Sequence, residues 1–177
     1  TGPNNSVPAL PFTASSTKMT VRVWSPDAGI QVRLKVETVG NPTRSVETEA
    51  TTTVANAWEK LTFNFANQAP GTAALNLTYT YNRASIFFNF GVTGATAGAK
   101  TYYFDDVAFE GGTPPPPATW NPITFDSSAV TYTLTGFGGA DDSTVVVDLT
   151  NAANKVAKVL KSATAELWAG TTVSTGP

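Results

Sequence analysis

Met19-Thr20-Val21-Arg22-Val23-Trp24 and Ile30-Gln31-Val32-Arg33-Leu34-Lys35-Val36-Glu37 decide the fold class. Both runs alternate apolar and polar residues, the period-2 signature of a strand with one face buried and one in water. The residues between them, Ser25-Pro26-Asp27-Ala28-Gly29, have turn composition. Read as a hairpin with Val23 facing Val32, the pair sets Val21 opposite Leu34 and Met19 opposite Val36. Trp24 then lies opposite Gln31, and Arg22 opposite Arg33. One face is apolar and the other is polar with a single Trp, an arrangement that a one-residue slip would destroy.

The same signal recurs along the chain. Further strands are expected at 46–54, 58–65, 85–90, 101–109, 123–125, 130–134, 144–147 and 165–168. The stretch 155–161 stays open: Val156, Val159 and Leu160 have helical spacing, whereas its Val content and short length suit a strand. About ten short strands, punctuated by Gly, Pro, Asn and Ser, predict an all-β, antiparallel β-sandwich of jelly-roll type.

Four consecutive prolines, Pro114 to Pro117, lie within 113–118. Such a run favours stiff polyproline II and divides the chain into 1–112 and 119–177. The second piece has no Cys or metal-binding His and is small for a core of its own. The two pieces are therefore expected to be portions of one sandwich, completed in cis or with a neighbouring copy. Thr-Gly-Pro begins at residue 1 and again at residue 175. That recurrence reads as one period of a tandem array or a circular permutation, cut in mid-domain.

Composition removes several function classes. The net charge is −2 and only 14% of residues are charged, which argues against a nucleic acid or an anionic membrane as partner. With no His and no Cys, thiol nucleophiles, disulfides, imidazole metal sites and Ser–His relays are all absent. The adjacent carboxylates Asp105-Asp106 and Asp141-Asp142 would diverge to opposite faces of an extended chain, whereas a glycosidase needs two facing each other across a cleft. No catalysis is expected. A Thr-rich, Lys-poor, Cys-free β chain with a proline spacer reads as an extracellular, secreted protein.

Tyr102-Tyr103-Phe104-Asp105-Asp106-Val107-Ala108-Phe109 carries the most chemical information. In regular strand geometry Tyr103, Asp105, Val107 and Phe109 share a face, which draws Asp105 toward the interior. A buried carboxylate needs a partner, and a Ca²⁺ held by oxygen ligands would supply one. The alternative is a strand that ends at Asp105-Asp106 with both carboxylates in water.

This segment resembles the last strand of galactose-binding-like β-sandwich carbohydrate-binding modules of the family-4, 9 and 22 type. Phe125-Asp126, within Asn121-Pro122-Ile123-Thr124-Phe125-Asp126, resembles the aromatic–acidic pair of their first strand. The resemblance implies polysaccharide binding, with a structural Ca²⁺ held by Asp105 and Asp126 and by backbone carbonyls near Asn154 or Lys155. It also implies a platform for sugar on the concave sheet. Stacking on pyranose rings needs exposed flat apolar faces with polar groups alongside. Trp24 with Arg22, Gln31 and Arg33, and Trp168 with Glu166, are the candidates. Trp58 and Trp120 read as structural, and Tyr79 and Tyr81 as core or solvent residues. Phe87 alternates with Ile86 and Phe88, so one face there must be partly exposed or covered. A structural role, as a tandem repeat of a filament, adhesin or surface layer whose partners are copies of itself, is the competing expectation.

Overall fold

The computed structural model describes residues 6–110 and 120–176. The proline spacer at 113–118 and the first Thr-Gly-Pro lie outside the described residues. Among the described residues ten strands form: β1 (Lys18–Ser25), β2 (Gln31–Thr38), β3 (Asn41–Thr51), β4 (Ala57–Asn64), β5 (Arg83–Phe88), β6 (Lys100–Glu110), β7 (Thr131–Phe137), β8 (Asp142–Val147), β9 (Lys155–Lys161) and β10 (Gly170–Gly176). A single helical turn, α1 (Gly94–Ala97), precedes β6. The strands build two five-stranded antiparallel sheets, β4-β1-β6-β9-β8 and β3-β2-β5-β10-β7. The fold is an all-β antiparallel sandwich, as the alternation predicts.

Between the sheets lies one apolar layer. Met19, Val21 and Val23 from β1 face Val32, Leu34 and Val36 from β2, all of them buried. Phe88 of β5 stacks on Tyr102 of β6 across the layer, with centroids 4.8 Å apart and planes 5° from parallel. Phe104 meets Phe125 edge-on at 5.5 Å, and Phe125 meets Tyr132 at 5.2 Å. Burying a ring of this size contributes about 1.5–3 kcal/mol, so these aromatics are the heaviest single terms of the interior.

The expected pairing of β1 with β2 is not what forms. Val21 lies opposite Leu61 of β4, while Leu34 lies opposite Ile86 of β5 and Thr48 of β3. The segment after Ser25 crosses from one sheet to the other, so the two strands face each other through the core. Alternation identifies the buried face of each strand correctly, because burial is the same whether the opposing apolar face is a neighbour or the other sheet.

Two local expectations also change, and one open stretch is decided. Residues 165–168 form part of the loop from β9 to β10 rather than a strand, and the strand lies just beyond, at β10. Gly170-Thr171-Thr172-Val173-Ser174 lacks apolar alternation, yet all five residues are buried because β10 runs between β5 and β7. At 123–125 only a bridge from Ile123 to Val107 remains. The stretch 155–161 resolves as strand β9.

The parity of β6 breaks at Asp106. Thr20 pairs with Ala108 but Arg22 with Asp105, leaving one extra residue on β6, and Asp106 takes φ +48°. A bulge of this kind flips the alternation. Tyr102 and Phe104 point inward before it, and Val107 after it. Tyr103 and Asp105 therefore occupy the outer face with Trp24 and Arg22, not the core face with Val107. Asp105 is nevertheless only 1% exposed. β9 pairs with β6 and β10 with β5, so both sheets take strands from either side of 111–119 within one chain.

Candidate functional site

The outer face of the β3-β2-β5-β10-β7 sheet carries a groove of about 910 Å³. Its floor follows from strand register. One row across the sheet reads Glu49, Arg33, Phe87, Gly170, Phe137, and the next reads Glu47, Lys35, Ser85, Thr172, Thr135. A third begins Glu37, Arg83. Outward positions two residues apart on each strand thus assemble an aromatic row, a hydroxyl row and an ionic row side by side.

Gly170 makes the aromatic row continuous. A Cβ there would come within 2.7 Å of Phe87 Cδ1, 2.8 Å of the Ile86 carbonyl oxygen and 3.0 Å of Phe137 Cζ. Without it, Phe87 and Phe137 meet edge-on at 5.6 Å over the bare backbone, and Phe90 joins Phe87 at 5.8 Å. Trp168 extends the row from the β9–β10 loop. It stacks on Phe137 at 6.1 Å, tilted by 19°, and is 47% exposed. Gly138, at φ +66°, leaves room for the indole: a Cβ there would lie 2.8 Å from the ring.

Beneath this row sits a buried ammonium. Lys161 Nζ donates to the carbonyl oxygens of Phe88 (3.3 Å), Asn89 (3.0 Å) and Val92 (2.8 Å). Burial lowers its pKa, and the three carbonyl dipoles offset the cost of holding a charge there. The ammonium pins the turn that follows β5 and with it Phe90, over which the Arg33 guanidinium lies at 3.6 Å. Arg33 is further fixed by Glu47 (2.9 Å) and by Glu49, whose carboxylate also accepts from Gln31 Nε2 at 2.6 Å. Lys35 and Arg83 both pair with Glu37, at 2.8 and 3.0 Å. Ser85 and Thr172 share a hydroxyl hydrogen bond of 2.8 Å. Among the described residues, each charged side chain lining the groove lies in such a pair, so the surface offers polarity without a net field.

Comparison with known protein families, with curated proteins and with solved structures finds no match to this chain.

The residues singled out in the sequence separate onto two faces. Arg33 and Trp168 line the groove, and Gln31 braces its rim through Glu49. Glu166 is exposed in the same loop as Trp168 but is not among the groove-lining residues. Trp24 and Arg22 lie on the outer face of the opposite sheet, because β1 belongs to that sheet. There Trp24 packs edge-on against Tyr103 at 5.5 Å. The single platform expected from a β1–β2 hairpin does not exist. Phe87, Phe90, Phe137 and Arg83 were missed. The only sequence signals for them were the alternation of Phe87 with two buried neighbours and the setting of Phe137 between glycines.

The opposite face holds the carboxylates. Asp105 Oδ2 accepts from Asn154 Nδ2 at 2.9 Å and lies 3.8 Å from Arg22. Asp148 accepts from Trp58 Nε1 at 3.3 Å, from Asn154 and from Thr150, and lies 3.9 Å from Arg22. Burial pushes Asp105 up to about 6, opposed by the Asn154 amide and the Asp106 backbone N–H and reinforced by repulsion from the Asp106 and Asp126 carboxylates. Asp105 Oδ1 is buried with no hydrogen-bond partner among the described residues. Asp126 accepts the Lys155 N–H at 2.8 Å, so consecutive residues 154 and 155 tie the two carboxylates to the start of β9. Among the described residues, no three Asp, Glu, His or Cys side chains converge as a metal cluster.

Proposed function

We propose that the protein is a non-catalytic polysaccharide-binding module that works outside the cell. The observation that carries this reading is the Phe90–Phe87–Phe137–Trp168 row, exposed at its Trp end along an open groove. Aromatic faces take the apolar C–H face of a pyranose, and the neighbouring Ser85, Thr172, Thr135 and paired ionic groups meet ring hydroxyls. Pre-paired charges hold these groups in place before ligand arrives, which lowers the cost of ordering them. Affinity electrophoresis through gels containing soluble polysaccharides tests the reading. Trp168→Ala is expected to weaken retention about tenfold or more, while Trp24→Ala, on the other sheet, leaves groove binding unchanged. Equal retention by wild type and Trp168→Ala removes the proposed site.

The proposal includes a structural Ca²⁺ at Asp105 and Asp126. The buried Asp105 Oδ1 and the repulsion that the Asp106 and Asp126 carboxylates exert on Asp105 support it. Two side-chain carboxylates would hold the ion together with backbone carbonyls, far from the groove. When bound, it would add to the positive charge that Asp105 draws from Arg22.

A further inference from the structure

A second pocket, of about 460 Å³, opens on the outer face of the sheet opposite the groove. Thr20, Arg22, Trp58, Lys60, Asp106 and Pro122 line it, and its volume falls in the range of small-ligand sites. Asp106 stands at φ +48° on the bulge of β6. A non-glycine residue in that region costs energy and persists because the ladder on either side holds it, a pattern concentrated at binding sites. Its exposed carboxylate has no ion-pair or hydrogen-bond partner among the described residues. The other charges there are engaged. Arg22 lies 4.3 Å over the Trp58 ring and near Asp105 and Asp148, Lys60 pairs with Glu110 at 3.5 Å, and Glu59 accepts from Thr53.

The lining chemistry selects the ligand. A cation would meet Arg22 and Lys60, and an anion would meet Asp106 and Glu59. A neutral polyol uses both, donating hydroxyls to Asp106 and accepting from the basic groups. The Trp58 indole N–H is committed to Asp148 and one ring face is covered by Arg22, so Trp58 contributes the rest of its apolar surface to the pocket with Pro122 and Ala108. We infer that this pocket is a second sugar-ring site, centred on Asp106 and Trp58, which lets one chain hold two polysaccharide strands on opposite faces. It stands on different residues from the groove and can fail separately.

Titration calorimetry with soluble neutral gluco-, xylo- and manno-hexasaccharides distinguishes the two. Wild type is expected to bind two per chain. Trp168→Ala and Asp106→Gly are each expected to lose one site, with affinity there falling at least tenfold, and the double variant to bind none. Glycine accommodates the backbone at 106, so Asp106→Gly keeps its fold, which equal melting curves verify. One saccharide per wild-type chain, with Asp106→Gly binding identically, overturns the second site and leaves the groove. Loss in Asp106→Gly with none in Trp168→Ala overturns the groove and leaves the second site. No binding of any of the three by wild type overturns both.

Discussion

Replacing Asp105 with Asn changes the pH dependence of stability in a direction that the burial of Asp105 dictates. In the folded chain burial raises its pKa from 3.8 to about 6. The folded state therefore holds this proton more tightly than the unfolded chain does. The resulting stabilisation is complete below pH 3.8 and is lost as the pH rises through about 6. A shift of roughly two pH units corresponds to about 3 kcal/mol. For a chain of this size that is roughly 6–12 °C in melting temperature. Asp148 has the opposite sign, since its lowered pKa contributes stability above its ordinary value that is lost in acid; it is present in both proteins. The quantity to follow is thus the stability of wild type minus that of Asp105→Asn, from urea unfolding in EDTA between pH 4 and pH 7.5. It is expected to fall by about 3 kcal/mol as the pH rises, with most of the change between pH 4 and 6. Parallel pH profiles would refute the assignment of an unfavourable buried carboxylate to this position. At pH 7.5, added Ca²⁺ is expected to raise the wild-type melting temperature, and Asp105→Asn to abolish that gain; no rise in wild type would remove the proposed ion.

The groove yields two more predictions. Gly170→Ala forces a methyl against Phe87, Phe137 and the Ile86 carbonyl. It is expected to destabilise by about 1–3 kcal/mol in denaturant unfolding and to weaken polysaccharide retention by parting the rings; unchanged stability would show that the row is not closely packed over that glycine. Lys161→Met leaves the Phe88, Asn89 and Val92 carbonyls without their shared donor. A loss of about 2–4 kcal/mol is expected, measured by the same unfolding assay, together with weaker glycan retention as Phe90 loosens; a stable variant with normal retention would separate Lys161 from the groove.

Much of the interior was legible in the residues alone. Met19, Val21 and Val23, and Val32, Leu34 and Val36, announce buried faces by alternation, and all six are buried. Which strand each lies beside was not legible, because period-2 patterning records which way a side chain points and not what it meets. The bulge at Asp106 was hidden for a related reason. Two adjacent aspartates followed by a valine read equally well as regular strand, and only the pairing of β1 with β6 shows the inserted residue.

The candidate site divides along the same line. Trp168 and Arg33 were recognisable as exposed aromatic and basic residues, but their partners were not. Phe87, Gly170 and Phe137 lie far apart in the chain and adjoin only because β10 inserts between β5 and β7. Composition and alternation determined that this chain is an all-β sandwich and which side chains fill it, since both depend on local geometry and on burial. Tertiary structure alone decided which outward faces share a sheet, because that depends on where the chain crosses between layers. For this reason Trp24 and Trp168, expected to share one platform, look away from each other across the core.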